Sequence, residues 1–302
     1  MTTFDSVAIV GLGLIGGSVA RDLAALGTTI HAYDADATQL AAAVRDGIVK
    51  APMDASLDGV RGADIVIIAV PVDAAVDVLG RIAGLARDDA LIMDVGSTKA
   101  RIVEAASQLG LGDRFVGAHP LAGDHRSGWE ASRTRLFVDA AVYLCPPREA
   151  GSDLIARAAD FWQCLGGRPE CMSATPHDLR LAWTSHLPHM VSMSLALALE
   201  RAGVRRELLG PGGRDTTRLA GSSPELWTAI SLENAAAISA ALERTEQELA
   251  ALRVAIERGD ATTLRARLSE ARDWAGRGKG EAGTTNGETP GTAGNGGNGA
   301  AV

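Results

Sequence analysis

The fold is decided by residues 7–16, Val-Ala-Ile-Val-Gly-Leu-Gly-Leu-Ile-Gly, which run from a short apolar segment into a glycine-rich turn. Gly11, Gly13 and Gly16 have the spacing GxGxxG, directly before a helical pattern that begins near Leu14. Between a strand and a helix, the first glycine permits a tight turn and the second lets the backbone approach a pyrophosphate. The third allows close packing, and the helix N-terminus favours the anion. The stretch therefore predicts a dinucleotide-binding unit.

An acidic residue follows at the distance that such a unit requires. Asp34 ends the next predicted strand, 18 residues after Gly16, where a carboxylate can accept hydrogen bonds from the adenosine ribose. It would repel the 2′-phosphate of NADP, and no arginine follows in residues 34–37. The alternative, that Asp34 only caps the next helix, leaves the glycine triplet unexplained. We therefore expect NAD as the cofactor, bound by Gly11, Leu12, Gly13, Leu14, Ile15, Gly16 and Asp34.

Two kinds of pattern divide the chain. Residues 1–174 alternate short apolar segments with alanine-rich helical stretches, which is typical of a parallel sheet covered on both faces. Residues 175–275 carry helical patterns over 177–202, 223–255 and 262–274. We predict an α/β fold, a Rossmann-type doubly wound parallel sheet followed by an all-helical domain. The predicted strands are 7–10, 29–33, 65–70, 90–94, 115–118, 141–145 and 168–171.

The C-terminal half carries two further signals. Leu242, Leu249, Leu252 and Ile256 recur at helical spacing, which predicts an apolar stripe. A homodimer through the helical domain is expected from this stripe, with burial inside the chain's own domain as the alternative. Residues 276–302 are rich in Gly, Thr, Asn, Glu and Ala and cannot bury enough surface to offset chain entropy, so we predict a disordered tail.

Composition argues against several classes of partner. A net charge of −8 gives no basic surface for nucleic acid, and no apolar stretch is long enough to span a membrane. Cys145, Cys164 and Cys171 are odd in number and lack CxxC spacing, so neither a disulfide framework nor a metal site is predicted. A small-molecule substrate and a cytoplasmic location fit best.

Polar segments follow two of the predicted strands. In open α/β sheets, ligands bind outside the carboxyl ends of the strands, which selects residues 94–99 (Asp-Val-Gly-Ser-Thr-Lys) and 117–123 (Gly-Ala-His-Pro-Leu-Ala-Gly). Val70 and Pro71 end the third predicted strand and are expected to line the nicotinamide side of the cleft. Pro71 could instead be only a strand terminator.

With these segments the chain resembles the prephenate and arogenate dehydrogenase family, whose members carry GLGLIGGS, GS(T/V)K and HPxAG in this order. The corresponding residues are 11–18, 96–99 and 119–123. The resemblance continues in residues 185–189, Ser-His-Leu-Pro-His, and 215–218, Asp-Thr-Thr-Arg, and it ends with Trp227 and the segment Leu232-Glu233-Asn234. It covers nearly the whole chain except the tail.

The resemblance implies NAD-dependent oxidative decarboxylation of prephenate to 4-hydroxyphenylpyruvate in tyrosine biosynthesis. A neutral His119 would accept the ring hydroxyl's hydrogen bond, while Ser97 would orient the substrate and contact the cofactor. Arg218 would clamp a carboxylate. The alternatives to these roles are that His119 is a structural residue bonded to a loop carbonyl and that Arg218 is a solvated surface charge. Lys99 could contact the cofactor or merely terminate a strand. The other expected substrate contacts are His125, His186, His189 and Asp215.

Substrate choice and function class leave alternatives open. His125 stands where many family members have an acidic residue, which favours prephenate over arogenate; an arogenate or dual-specificity enzyme is the alternative. Pro211 also departs from the family's usual glycine. The β-hydroxyacid dehydrogenases rely on a lysine in the helical domain, but no lysine lies between Lys99 and Lys279. A nonenzymatic NAD-sensing module would need the glycine turn and Asp34 alone.

Overall fold

The structure, a computed structural model, describes residues 4–123 and 126–277. His125 and most of the predicted tail therefore lie outside the described residues. The described residues form two compact units, divided between Glu243 and Arg244. The division into a nucleotide-binding domain ending near residue 174 and a helical domain remains a prediction.

The first unit contains one eight-stranded sheet in the order β3-β2-β1-β4-β5-β6-β7-β8. The chain order reverses between β1 and β4, and such a switch point is where open α/β sheets bind ligands. All seven predicted strands are present, and β3 is a short additional strand. The strands are β1 Ser6–Val10, β2 Thr29–Tyr33, β3 Ala51–Pro52, β4 Ile65–Ile68, β5 Leu91–Asp94, β6 Phe115–Pro120, β7 Ala141–Cys145 and β8 Arg168–Cys171.

One strand departs from the predicted parallel sheet. β7 pairs antiparallel with β6 and parallel with β8. Between β6 and β7, the described residues hold only a 3₁₀ turn, Trp129–Ala131, and no crossover helix, and antiparallel neighbours need no such helix. This pairing makes β6 longer than predicted, because His119 pairs with Tyr143 and Pro120 with Val142. His119 consequently lies within a strand and not in the loop after it.

Helices cover both faces of the sheet. Successive side chains of a strand point to opposite faces, so Val7 and Ile9 of β1 pack in one buried cluster, and Ala8 and Val10 pack in the other. This arrangement explains why the strands are apolar throughout. The helices that contribute to these two clusters are α1 Leu14–Ala25, α2 Ala37–Arg45, α3 Val72–Ala83, α4 Ala100–Gln108 and α5 Ser152–Cys164.

The predicted helix 177–202 is two helices, α6 Ala174–Leu181 and α7 Leu187–Arg201, joined by a π-helical turn, Ala182–His186. Pro188 has no N–H to donate, and its ring would clash with a preceding carbonyl in a regular helix. The widened turn ends just before it. The predicted helix 223–255 is divided at Asn234. The remaining helices are α8 Pro211–Thr216, α9 Pro224–Glu233, α10 Ala235–Glu257 and α11 Ala261–Gly276.

The second unit comprises the C-terminal part of α10 together with α11. Asp260 caps α11 by accepting a hydrogen bond from the Thr263 N–H at 3.0 Å, and Arg267 pairs with Glu248 at 2.7 Å. Apolar side chains of this unit are exposed, including Leu249, Leu268 and Trp274. Within the described ranges, no helix is long and apolar enough to cross a membrane.

Candidate active site

The glycine turn lies between β1 and α1, against the end of β4. Gly11 has φ +101°, and a Cβ there would overlap the carbonyl oxygen of Ala69. A Cβ on Gly16 would overlap the carbonyl oxygen of Gly11. Gly13, in contrast, has nothing within 4 Å of its would-be Cβ position. The first and third glycines are thus required by packing, and the second leaves open space in front of the backbone.

The start of α1 can receive an anion. Gly13 precedes the helix, and no side chain caps it, so the first N–H groups of α1 have no intrahelical acceptor. Leu14 and Ile15, on the first turn, are half-buried. A pyrophosphate in front of Gly13 would satisfy these donors and meet the positive end of the helix dipole.

Asp34 lies beside this turn at the end of β2. Its Oδ2 accepts a hydrogen bond from the Leu12 N–H at 2.6 Å, and its Oδ1 accepts one from the Asp36 N–H at 2.8 Å. The cap of α2 is Asp36, which accepts from the Thr38 N–H at 2.9 Å. The alternative interpretation of Asp34 as the helix cap is therefore wrong. Its carboxylate retains acceptor positions for a ribose hydroxyl.

The end of β4 forms the other wall of the switch point. Val70 is half-buried and Pro71 is exposed, and Pro71 directly precedes α3. Both of the sequence-based interpretations of Pro71 are compatible with this exposed position before α3.

His119 is nine-tenths buried near the end of β6. Its Nδ1 lies 2.9 Å from Nε2 of His177, and Nδ1 of His177 lies 2.8 Å from Oδ1 of Asp178. The hydrogen-bond partner of His119 Nδ1 is thus a second histidine and not a loop carbonyl, which is the structural alternative. Across the strand pair lies Tyr143, whose ring also contacts His177 edge-on at 5.6 Å.

Asp178 joins α6 to the turn that follows β5. It accepts hydrogen bonds from the backbone N–H groups of Lys99 and Ala100, both at 2.8 Å, and these are N–H groups that the start of α4 leaves without intrahelical partners. Asn234 Nδ2 donates to the backbone carbonyl of Asp178 at 2.8 Å and lies 3.2 Å from Nδ1 of His186. These bonds bring residues from four separate parts of the chain together.

Lys99 is fully buried, and its ammonium forms an ion pair with Asp94. The same carboxylate oxygen accepts from the Gly96 N–H at 2.8 Å, while Oδ1 of Asp94 has no protein partner among the described residues. Burial raises the pKa of Asp94, although the ammonium of Lys99 opposes that effect. Lys99 therefore supports the turn from inside and is not exposed to a cofactor.

Burial also controls the charge of His119. Its pKa lies well below the ordinary value of 6.5, first because the ring is desolvated and then because His177, Lys99 and His186 are near. The ring is therefore a neutral imidazole at pH 7. A neutral imidazole carries a single N–H and presents one lone pair, so it can accept one hydrogen bond.

Two further histidines contact Trp227, as expected for residues on one helix face. His189 stacks on the indole with ring centroids 3.7 Å apart, and His186 meets it edge-on at 5.9 Å. Ser222 Oγ lies 3.4 Å from Nδ1 of His189. Burial lowers the pKa of both histidines to about 4. Nε2 of His186 is buried without a hydrogen-bond partner among the described residues.

Arg218 begins a 3₁₀ turn, Arg218–Gly221, and is exposed. Its charge further lowers the pKa of His189, so the guanidinium lies near the stacked pair of His189 and Trp227. His186 and His189 thus share contacts with Trp227, while His119 and Arg218 are linked to these histidines through electrostatic effects on pKa. In the described part of the chain, the guanidinium of Arg218 makes no hydrogen bond or ion pair.

The remaining candidate residues are Ser97, Asp215 and His125. Ser97 is half-buried in the turn between β5 and α4, and Asp215 is exposed on α8; neither side chain forms a hydrogen bond with another described residue. His125 lies outside the described residues. Within those residues, no group of three His, Cys, Asp or Glu side chains could hold a metal ion.

Sequence reasoning missed His177 and Asp178. They are adjacent at the start of a predicted helix, where an acidic residue has an ordinary interpretation as a helix-end charge. Both are almost fully buried, but burial of this pair could not be inferred from spacing. Trp227 and Asn234 belong to the stretch that resembles the family's substrate-binding segment, but the motif does not indicate which side chains they contact.

Two family models match the chain. The nucleotide-binding domain of prephenate dehydrogenase matches residues 19–170, and the dimerization domain of prephenate dehydrogenase matches residues 173–270. Together they cover most of the chain, and they meet between residues 170 and 173.

Known proteins agree with these matches. The chain is 37% identical to the cyclohexadienyl dehydrogenase of Zymomonas mobilis over 280 residues, 87% of this chain and 92% of that protein. The prephenate dehydrogenase of A. aeolicus, solved with hydroxyphenyl propionate and NAD+, has TM-score 0.83 and 31% identity and covers 91% of this chain and 98% of its own. The Synechocystis arogenate dehydrogenase has TM-score 0.76 and 30% identity, with 90% and 99% covered. The chain therefore belongs to the prephenate dehydrogenase family, whose members are dehydrogenases with a nucleotide-binding domain.

Proposed function

We propose that this chain is an NAD-dependent prephenate dehydrogenase, which converts prephenate to 4-hydroxyphenylpyruvate by oxidative decarboxylation. The observation that carries the proposal is the buried, neutral imidazole of His119, held through Nδ1 by His177 at the carboxyl end of β6. The other ring nitrogen, Nε2, has no protein partner among the described residues. We infer that this atom is available to a ligand at the carboxyl end of the sheet.

The residues around the glycine turn fit a dinucleotide. The open space at Gly13 and the uncapped start of α1 suit a pyrophosphate. Asp34 retains lone pairs for the ribose and would repel a 2′-phosphate. When bound, NAD supplies an acceptor for the hydride that leaves C4 of the substrate ring. Val70, Pro71 and Ser97 are the residues that we propose to line the nicotinamide side.

His119 would accept the hydroxyl proton of the substrate and later return it. As hydride leaves C4, the hydroxyl gains carbonyl character and its proton becomes acidic, and Nε2 of His119 accepts that proton. Loss of carbon dioxide from C1 leaves its electron pair in the ring, which becomes aromatic. The resulting phenolate oxygen takes the proton back, so the reaction releases no net proton and His119 returns to its neutral form.

The substrate has two carboxylates, and the site needs local positive charge because the chain as a whole is acidic. We assign Arg218 to one carboxylate, since its guanidinium is exposed and makes no ion pair within the described residues. His186 and His189 would add uncharged polar contacts, and the unpartnered Nε2 of His186 is one of them. The contributions of Asp215 and His125 remain predictions.

Arogenate, or both substrates, is the alternative. Relatives with either name are similar to this chain, and the residue that suggested a preference, His125, lies outside the described residues. We also propose a homodimer, supported by the match to a dimerization domain and by the exposed apolar side chains of Leu249, Leu268 and Trp274. A cytoplasmic location stays a prediction.

The test is a steady-state assay of NADH formation with purified protein, NAD and either prephenate or arogenate. The proposal expects turnover with prephenate and a kcat/KM for prephenate that exceeds the value for arogenate. The reverse ratio would support the alternative substrate. A nonenzymatic NAD-sensing protein would bind NAD without forming NADH with either compound.

A further inference from the structure

His119, His177 and Asp178 form a continuous buried series. The distances are 2.9 Å between His119 Nδ1 and His177 Nε2, and 2.8 Å between His177 Nδ1 and Asp178 Oδ1. His177 is fully buried, and its ring contacts both His119 and Tyr143 edge-on. Neither His177 nor Asp178 is needed to bind the cofactor or the substrate in the function proposed above.

The hydrogen bonds of this series have a donor-to-acceptor direction, and that direction is set at Asp178. Both oxygens of Asp178 accept backbone N–H groups, those of Lys99 and Ala100, and an ionised carboxylate offers only acceptors. His177 must therefore donate to Asp178 from Nδ1. In a neutral His177, Nε2 then carries a lone pair and can only accept.

The same argument determines which ring nitrogen of His119 is protonated. A neutral imidazole carries one N–H, and the bond to His177 requires that this N–H be on Nδ1. Nε2 of His119 is then unprotonated, which is the state that a proton acceptor needs. With the N–H on Nε2, the ring would face the substrate hydroxyl as a second donor. A wrong tautomer in such a series is known to be costly in hydrolases with a His-Asp pair.

We propose that His177 and Asp178 are positioning residues that hold the tautomer of His119, with Nδ1 protonated and Nε2 free as an acceptor. The use of that lone pair in catalysis rests on the function proposed above; the tautomer itself follows from the hydrogen bonds. Because Asp178 also holds the start of α4, it ties this tautomer to the turn that carries Ser97.

The tautomer can be measured directly. In protein labelled with ¹⁵N-histidine, two-bond proton–nitrogen spectra distinguish a protonated from an unprotonated ring nitrogen, and His119→Asn identifies the His119 signals by their loss. We expect Nδ1 of wild-type His119 to be protonated at about pH 7. A scalar coupling across the N–H···N bond to His177 Nε2 should also be present. A protonated Nε2 in His119 would overturn the proposal.

Two variants of His177 form a matched pair. The side-chain amide of His177→Gln can reach the former position of Nε2 and accept from His119, whereas that of His177→Asn reaches only the position of Nδ1. We expect His177→Asn to lose the Nδ1-protonated state of His119 and to lower kcat about 100-fold. KM for the substrate and Kd for NAD should change less than about 2-fold. His177→Gln should restore the Nδ1-protonated state of His119 and most of kcat.

The outcomes separate the two proposals. If His177→Asn folds and leaves both the His119 tautomer and kcat unchanged, the positioning role is refuted. If it does not fold, the wild-type spectrum and the coupling across the hydrogen bond still decide the tautomer. If wild-type protein forms no NADH with prephenate or arogenate, the proposed function fails while the spectra still test the series from Asp178 to His119.

Discussion

The carboxylate of Asp34 accepts a hydrogen bond from the Leu12 N–H at 2.6 Å, so the residue that we propose to bind the ribose also holds the glycine turn. The Asp34 carboxylate can bind the backbone and a cofactor at the same time, because a carboxylate has about four acceptor positions and the backbone N–H groups use two of them. Changes at Asp34 should therefore affect cofactor binding through both the ribose and the shape of the turn.

We expect Asp34→Ala to raise the Kd for NAD at least about 10-fold, which corresponds to the loss of one hydrogen bond to a charged group. Preference for NAD over NADP should fall, because the charge that repels the 2′-phosphate is removed. Titration of both cofactors by fluorescence or calorimetry measures these values. Asp36→Ala is the control: it removes the cap of α2 and should cost about 1 kcal/mol of stability without changing the cofactor ratio. Unchanged NAD affinity in Asp34→Ala would contradict the assignment.

Replacing His119 tests the proton acceptor. We expect His119→Asn to lower kcat by about 100- to 10,000-fold with little change in KM, because the amide cannot take up a proton at neutral pH. His31→Asn is the control, since His31 lies in β2 at the opposite side of the sheet order and should leave kcat unchanged. A His119→Asn enzyme with nearly normal turnover would remove His119 from its proposed role.

Arg218→Ala tests the carboxylate contact. Loss of a charge-assisted hydrogen bond should raise the KM for prephenate about 10- to 100-fold and lower kcat much less. Arg214→Ala changes a neighbouring exposed arginine, whose guanidinium reaches the backbone carbonyl of Glu207 at 3.5 Å. It should leave KM within about 2-fold of the wild type. Equal effects of the two changes on KM would indicate a general loss of positive charge and not a specific contact.

Stability should depend on pH through the buried histidines. The pKa values of His186 and His189 are about 4 in the folded chain, and burial lowers that of His119 as well. Between these values and the ordinary 6.5, the unfolded chain binds more protons than the folded one. The contribution of these neutral histidines to the free energy of unfolding is therefore complete above about pH 6.5, and it falls as the pH drops towards about 4. Asp94, whose pKa is raised, acts in the opposite sense.

Urea unfolding at constant ionic strength between about pH 7.5 and pH 4.5 measures this dependence. His189→Phe keeps an aromatic ring against Trp227 but removes one titrating group, so its stability should fall less steeply on acidification. Activity should show the same direction, because a protonated His119 cannot accept the hydroxyl proton. Greater stability of the wild type at about pH 5 than at about pH 7 would refute the assignment of these histidines as buried and neutral.

Local patterns determined much of this protein. The apolar strands, the glycine turn and Asp34 follow rules that act over a few residues to about twenty. Short-range sterics set the requirements at Gly11 and Gly16, and the fully apolar strands follow from burial on both faces of the sheet. His119 could be selected because the carboxyl ends of parallel strands meet at one edge.

Tertiary structure alone decided what surrounds that histidine. His119 and His177 are 58 residues apart in the chain, and Asp178 accepts N–H groups from residues that are 78 and 79 positions away. No periodicity encodes such pairings, because a buried polar group takes whichever partner the packed helices bring within hydrogen-bond distance. The antiparallel pairing of β7 with β6 is likewise a long-range contact that no local pattern indicates. The residue types were readable from the sequence; the tautomer-setting contacts exist only after α6 packs against α4 and the sheet.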